Sequence, residues 1–167
     1  TFSSELEKIG SLVFNGCKSL KAFYTENGKS NEDINDYAKL IDGSLYIVVD
    51  NGKLQLMSVP AAMENHTLKV KEGTVRIDFY AGNENPNVQK IILPDGLELI
   101  GNYAFNGYSK LKVVEFNSIK APQLESFWNS ESSITEEDPG YGVLHNQSDI
   151  FGLELCYYTF IDLVGKN

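Results

Sequence analysis

Residues 91–116 read Ile91-Ile92-Leu93-Pro94-Asp95-Gly96-Leu97-Glu98-Leu99-Ile100-Gly101-Asn102-Tyr103-Ala104-Phe105-Asn106-Gly107-Tyr108-Ser109-Lys110-Leu111-Lys112-Val113-Val114-Glu115-Phe116. The second half of this stretch has an earlier copy. Leu6 to Lys21 aligns with Leu97 to Lys112 without a gap, 91 residues apart, and nine positions are identical. They are Leu6/Leu97, Glu7/Glu98, Ile9/Ile100, Gly10/Gly101, Phe14/Phe105, Asn15/Asn106, Gly16/Gly107, Leu20/Leu111 and Lys21/Lys112. An offset of 91 is close to four units of 23, inside the range of roughly 20–29 residues typical of leucine-rich repeats. A shift of 23 lays Val70-Lys71-Glu72-Gly73 on Leu93-Pro94-Asp95-Gly96, and Ile77, Tyr80 and Ala81 on Ile100, Tyr103 and Ala104. Residues 65–116 therefore hold two complete repeats and residues 6–25 hold part of another.

Each repeat position has a physical reading. Leu111, Val114 and Phe116, like Val88, Ile91 and Leu93, are expected to point inward from a short strand. Lys112, Val113 and Glu115, like Gln89, Lys90 and Ile92, are expected to face out. Pro94-Asp95-Gly96 then turns the chain, with Gly96 free to take a positive φ. Leu97 and Ile100 return to the core, and Gly101 permits close packing. Ala104 and Phe105 are expected on the apolar side of a short helical turn that Asn106-Gly107 ends in a left-handed stop. Such a unit leaves both halves partly bare, so neighbours must stack on it.

At these residues the chain resembles the BspA-like leucine-rich repeat family, whose unit reads I-P-x-x-(L/V)-x-x-I-G-x-x-A-F-x-x-C-x-x-L-x-x-(I/V). Leu6 to Phe23 matches as well, with Cys17 at the cysteine of the pattern. Tyr108 replaces that cysteine later, which marks a packing slot rather than a ligand. Asp42-Gly43-Ser44-Leu45-Tyr46 through Val59-Pro60 is similar to the hairpin insert of the family. The resemblance covers about residues 4–128. It implies a β-rich α/β fold: a right-handed solenoid with short helical turns, a β-hairpin insert at about 44–60 and a C-terminal cap. The domains expected are a repeat solenoid over 1–128 and an acidic loop with a capping segment over 129–167.

The remaining segments fit around this frame. Residues 26–43 are polar and read as a loop or a short helix around Ile34 to Leu40. Tyr46-Ile47-Val48-Val49 and Leu54-Gln55-Leu56-Met57 are β-rich runs joined by Asp50-Asn51-Gly52-Lys53, a strong hairpin signal. Phe127 and Trp128 are read as packed under the C-terminal segment. Ser130 to Gly142 is acidic and turn-rich. Leu153 to Val164 has high β propensity and is expected to cover the open end.

Composition narrows the function. The 167 residues carry a net charge of −9 with no basic cluster, which argues against nucleic acid and anionic membrane surfaces as partners. No apolar run approaches the ~20 residues that span a bilayer. Thr1 in first place reads as a mature or trimmed chain from which a signal peptide has been removed. Cys17 and Cys156 have no zinc-type spacing and give weak grounds for a disulfide. His66 and His145 are the only histidines; neither sits in a catalytic signature, although His145 and Asp149 are four residues apart. Asn31-Glu32-Asp33-Ile34-Asn35-Asp36 is oxygen-rich but lacks the glycine and final glutamate of a calcium loop. The Asn65-His66-Thr67 and Asn146-Gln147-Ser148 sequons are discounted, because the resemblance is to bacterial proteins. No cofactor or metal is expected.

What remains is a display surface. Three outward columns follow from the repeat alignment: Lys21, His66, Gln89 and Lys112; Tyr24, Lys69, Ile92 and Glu115; Ala22, Thr67, Lys90 and Val113. The candidate ligand-binding set is Lys21, Tyr24, Lys69, Gln89, Lys90, Ile92, Lys112 and Glu115. The resemblance implies a non-catalytic adhesion module, secreted or on a bacterial cell surface, with a host extracellular protein or glycan as partner. A structural spacer within a larger surface protein is the first alternative, and hydrolysis carried by the C-terminal segment is the second.

Overall fold

The computed structural model describes residues 1–82, 84–117 and 122–124. The expected acidic loop, the capping strand at 153–164, Phe127, Trp128, His145, Asp149 and Cys156 lie outside the described residues. Ten strands are formed: β1 (Glu32–Asp33), β2 (Ala38–Ile41), β3 (Ser44–Val48), β4 (Leu54–Ser58), β5 (Thr67–Lys69), β6 (Thr74–Ile77), β7 (Lys90–Leu93), β8 (Leu99–Ile100), β9 (Val113–Phe116) and β10 (Gln123–Leu124). They make two sheets. One runs β1-β2-β3-β4-β6-β8-β10 and the other β5-β7-β9.

The 23-residue period becomes register. In the three-stranded sheet Thr67 pairs with Lys90 and Lys90 with Val113, all parallel. In the larger sheet Arg76 pairs with Leu99 and Ile77 with Ile100, also parallel. The chain thus lays one strand in each sheet per repeat. The connecting turns are tied across repeats too, by Tyr80 N to Asn102 O (3.2 Å), Gly82 N to Ala104 O (2.6 Å) and Glu84 N to Asn106 O (2.7 Å). Between the sheets lies one apolar core. Val88, Ile91, Leu93, Leu97, Ile100, Ala104, Phe105 and Leu111 are buried in it as the repeat pattern requires, while Val114 and Phe116 are half-buried at its margin.

The expected helical turns do not form. Among the described residues the helical segment is a single 3-10 turn at Asp50–Gly52, and residues 101–107 are successive tight turns. The cause is in the backbone. Tyr103 has φ +55 and Gly107 φ +79, and each left-handed residue breaks a helical run. Leu12 and Tyr80 take the same left-handed conformation as Tyr103, and Gly16 and Glu84 the same as Gly107, at the same repeat positions. The bonds inside this segment accordingly run from residue i+3 to i, as in Ala104 N to Gly101 O and Asn106 N to Tyr103 O.

The insert is an antiparallel β3–β4 hairpin. Its turn has Asn51 at φ +59 and Gly52 at φ +76, the pair of positive φ values that a tight hairpin needs. The second strand does double service, since β4 also pairs parallel with β6 and joins the repeat ladder. Residues 26–43, read as a loop or helix, instead supply β1 and β2, which extend the same sheet antiparallel. Alternation explains β2: Ala38 and Leu40 are buried while Lys39 and Ile41 are half-buried.

The N-terminal repeat departs from expectation. Residues 21–24 form no strand; Phe2 and Thr25 make an isolated parallel bridge, again 23 residues apart. That bridge stands where Leu93 pairs with Phe116 in the later repeats. Phe23 N bonds to Gly43 O, so the chain here turns toward the insert instead of joining β5.

Candidate binding face on the three-stranded sheet

Strands β5, β7 and β9 set two straight rows of side chains away from the core. Thr67, Lys90 and Val113 form one row, and Lys69, Ile92 and Glu115 the other. The inward row between them is Leu68, Ile91 and Val114. Neighbouring strands stand about 4.8 Å apart, so each row spans three strands with little slack. Thr67, Lys69, Val113 and Glu115 are exposed, and Lys90 and Ile92 half-buried. Val113, 47% exposed, is one of four large apolar side chains most open to solvent on the described chain. A parallel sheet is usually covered on both faces; among the described residues no element packs on the outer side of this one.

One ion pair crosses the face diagonally, Lys90 Nζ to Glu115 Oε2 at 2.6 Å. Lys69 and Lys112 are exposed and form no ion pair among the described residues. His66 and Gln89 precede the strands. His66 Nδ1 lies 3.1 Å from Asn87 O and 3.2 Å from Gln89 Nε2. The carbonyl contact needs the proton on Nδ1 and the amide contact needs it absent, so the two alternate with tautomer. Lys112 N and Val113 N both bond to Gln89 O, which ties this corner of the sheet together.

The structure brings together Lys69, Gln89, Lys90, Ile92, Lys112 and Glu115 of the sequence-derived set. It does not bring in Lys21 and Tyr24. Lys21 pairs with Glu64 at 2.8 Å, and each charge holds the other ionised: the Lys21 ammonium is raised above its usual range and the Glu64 carboxyl lowered. Tyr24 is 44% exposed beside Phe2, whose N–H bonds to its carbonyl. Both were displaced when the chain turned toward the insert. Thr67 and Val113, column mates of Lys90, belong to the open face although the candidate set omits them. The period-two alternation of 67/69, 90/92 and 113/115 is the signal that includes them.

Other groups read as chemistry are spent on structure. Asn35 Oδ1 accepts bonds from Tyr37 N and Ala38 N, and its Nδ2 donates to Ser4 O and Leu6 O. Glu32 accepts from Thr25 Oγ1, and Asp33 pairs with Lys39. The oxygen-rich run at 31–36 is therefore folded into β1 and its turn. Among the described residues no group of three or more His, Cys, Asp or Glu side chains could hold a metal ion. Sequence reasoning gave no sign of an open groove of about 410 Å³ beside the insert, where Glu32, Asp33, Lys39, Lys71 and Glu72 rim a floor of Leu40 and Leu54. No helix among the described residues is long and apolar enough to cross a membrane.

The register just described is that of a 23-residue leucine-rich repeat, and a known family matches it. The profile described as "BspA type Leucine rich repeat region (6 copies)" matches residues 1–39 and 63–140, more than half of the chain. The chain belongs to the BspA-type leucine-rich repeat family. The gap in that match, 40–62, falls on the β3–β4 hairpin, where the BspA-type spacing is interrupted. No curated protein matches the chain. Among solved structures it is similar to a leucine rich cell surface protein from Faecalibacterium prausnitzii A2-165, at 16% identity and a TM-score of 0.42, covering 70% of this chain and 47% of that one. The chain thus spans about half the length of that structure.

Proposed function

We propose that this BspA-type chain is a non-catalytic binding module of a bacterial surface or secreted protein. In this reading the two ladders wind as a right-handed solenoid. The ligand, a host extracellular protein or a glycan, lies across β5, β7 and β9. The observation that carries the proposal is the outer side of this parallel sheet, which no element among the described residues covers. Ile92 on the middle strand and Val113 diagonally beside it on β9 give it apolar contact, and Lys69, Lys90, Lys112 and Glu115 set charge next to them. Exposed apolar side chains interleaved with charged ones are a surface that a protein partner can cover. In a chain of net charge −9, lysines gathered on one face favour a partner that is acidic where it meets them. A panel of immobilised matrix proteins and glycans tests the proposal. Saturable binding to at least one of them is expected, weakening as salt rises; a panel with no binding overturns it.

A further inference from the structure

Arg76 is the one arginine in the 167 residues, and it stands inside a row that crosses the larger sheet. Gln55 of β4 pairs with Arg76 of β6, Arg76 with Leu99 of β8, and Leu99 with Gln123 of β10. These side chains leave the sheet on the side away from the core, since Leu54, Leu56, Ile77 and Ile100 beside them are buried. Arg76 and Gln123 are exposed, and Gln55 and Leu99 half-buried. At about 4.8 Å per strand the row is ~14 Å long. It reads amide, guanidinium, isobutyl, amide. The strands on either side of β6 are in place, so Arg76 does not lie at an end of the ladder.

Among the described residues Arg76 forms no ion pair and no side-chain hydrogen bond. Two carboxylates stand near it in the fold, and both are engaged elsewhere. Glu98, next to Leu99 in the chain, reaches across to Lys53 at 2.9 Å. Asp78 lies two residues beyond Arg76; its Oδ1 accepts from Gln55 Nε2 at 3.3 Å and its Oδ2 is buried. The guanidinium is thus left with its fork of donors open, and that planar fork fits a carboxylate through two parallel bonds. In a chain of net charge −9, such a group is complementary to an outside acid and not to the surface around it. We infer that this row is a further binding site, and that its ligand is a glycan carrying a carboxylate. The carboxylate meets Arg76, sugar hydroxyls meet the side-chain carbonyl of Gln55 and the amide of Gln123, and the C–H face of the ring rests on Leu99. An extended peptide fits less well. Strands β4, β6 and β8 are each paired on both sides, so no strand edge is offered to a peptide backbone here. The row lies on the other sheet from β5, β7 and β9, so the two faces stand or fall separately.

Titration calorimetry of the 167-residue chain with sialyllactose and with a galacturonic acid trisaccharide tests it, beside the methyl esters of both sugars. At least one of the two acids is expected to bind saturably, and its uncharged ester ~tenfold more weakly or less still. Arg76→Gln is expected to weaken binding of the acid ~tenfold or more. Its side chain is exposed, so the variant should keep the circular dichroism of the wild type. Lys69→Glu, on the three-stranded sheet, is expected to bind these sugars as the wild type does. Failure of both acids to bind overturns the proposal. So do esters that bind as well as the acids, binding that survives Arg76→Gln, and binding that is lost in Lys69→Glu. A glutamate-rich peptide that binds through Arg76 more tightly than either sugar overturns the assignment to a glycan.

Discussion

A methyl group on Gly101 would sit 2.6 Å from Phe79 N and 2.7 Å from Asp78 C, both backbone atoms that cannot move aside alone. Gly101 N bonds to Ile77 O in the preceding repeat, so the two backbones touch. Gly101→Ala is therefore expected to lower stability by about 1–3 kcal/mol, as overpacking does, read as a lower urea midpoint. The repeat pattern made the need for a small residue legible. It did not show Tyr108. That side chain fills the family's cysteine slot, and its hydroxyl is buried without a hydrogen-bond partner among the described residues. Burial, with Tyr46 nearby, pushes its phenol well above the usual range, and burial pushes Tyr46 up to about 12. In the unfolded chain both ionise near ~10. Folded values above unfolded ones mean that the stability they lend is complete below pH ~10 and is lost as pH rises toward 12. Absorbance of ionised tyrosine should therefore rise together with unfolding above pH ~10. Tyr108→Phe removes the unpaired hydroxyl, so it is expected to add about 1 kcal/mol and to move alkaline unfolding to higher pH.

At the scale of elements, strand β7 is the middle of the three-stranded sheet and Ile91 is its fully buried residue. Ile91→Ala leaves a void between ladders paired on both sides, and about 2–5 kcal/mol of stability is expected to go with it, measured by urea unfolding. Strands such as β7 and β9 were legible because their inward residues recur every 23 positions. The hairpin was legible through Asp50-Asn51-Gly52. The segment 101–107 was misread as helical because Ala104-Phe105 followed by Asn106-Gly107 has the composition of a helix end. The left-handed φ of Tyr103, rare outside glycine, has no marker in its side chain. Strands β1 and β2 were hidden for a different reason. They are short, β1 is two acidic residues, and the four-residue alternation of β2 sits inside a polar stretch, so the adjoining hairpin decides that they are strands.

For the molecule as a whole, sequence and structure agree on what is repeated: core positions and turns. The candidate face differs from copy to copy, as Lys69, Ile92 and Glu115 do along one row. Six of the eight candidate residues could be placed because register follows directly from period. Lys21 and Tyr24 could not, because the insert diverts the chain after Leu20 and no local pattern announces a long-range detour. Binding of the wild type to the panel of matrix proteins and glycans, measured beside a Lys69→Glu, Ile92→Ser, Val113→Ser variant of equal circular dichroism, tests the role of this face most directly. Wild-type binding that falls ~tenfold or more in the variant is expected; equal binding by the two proteins would contradict it.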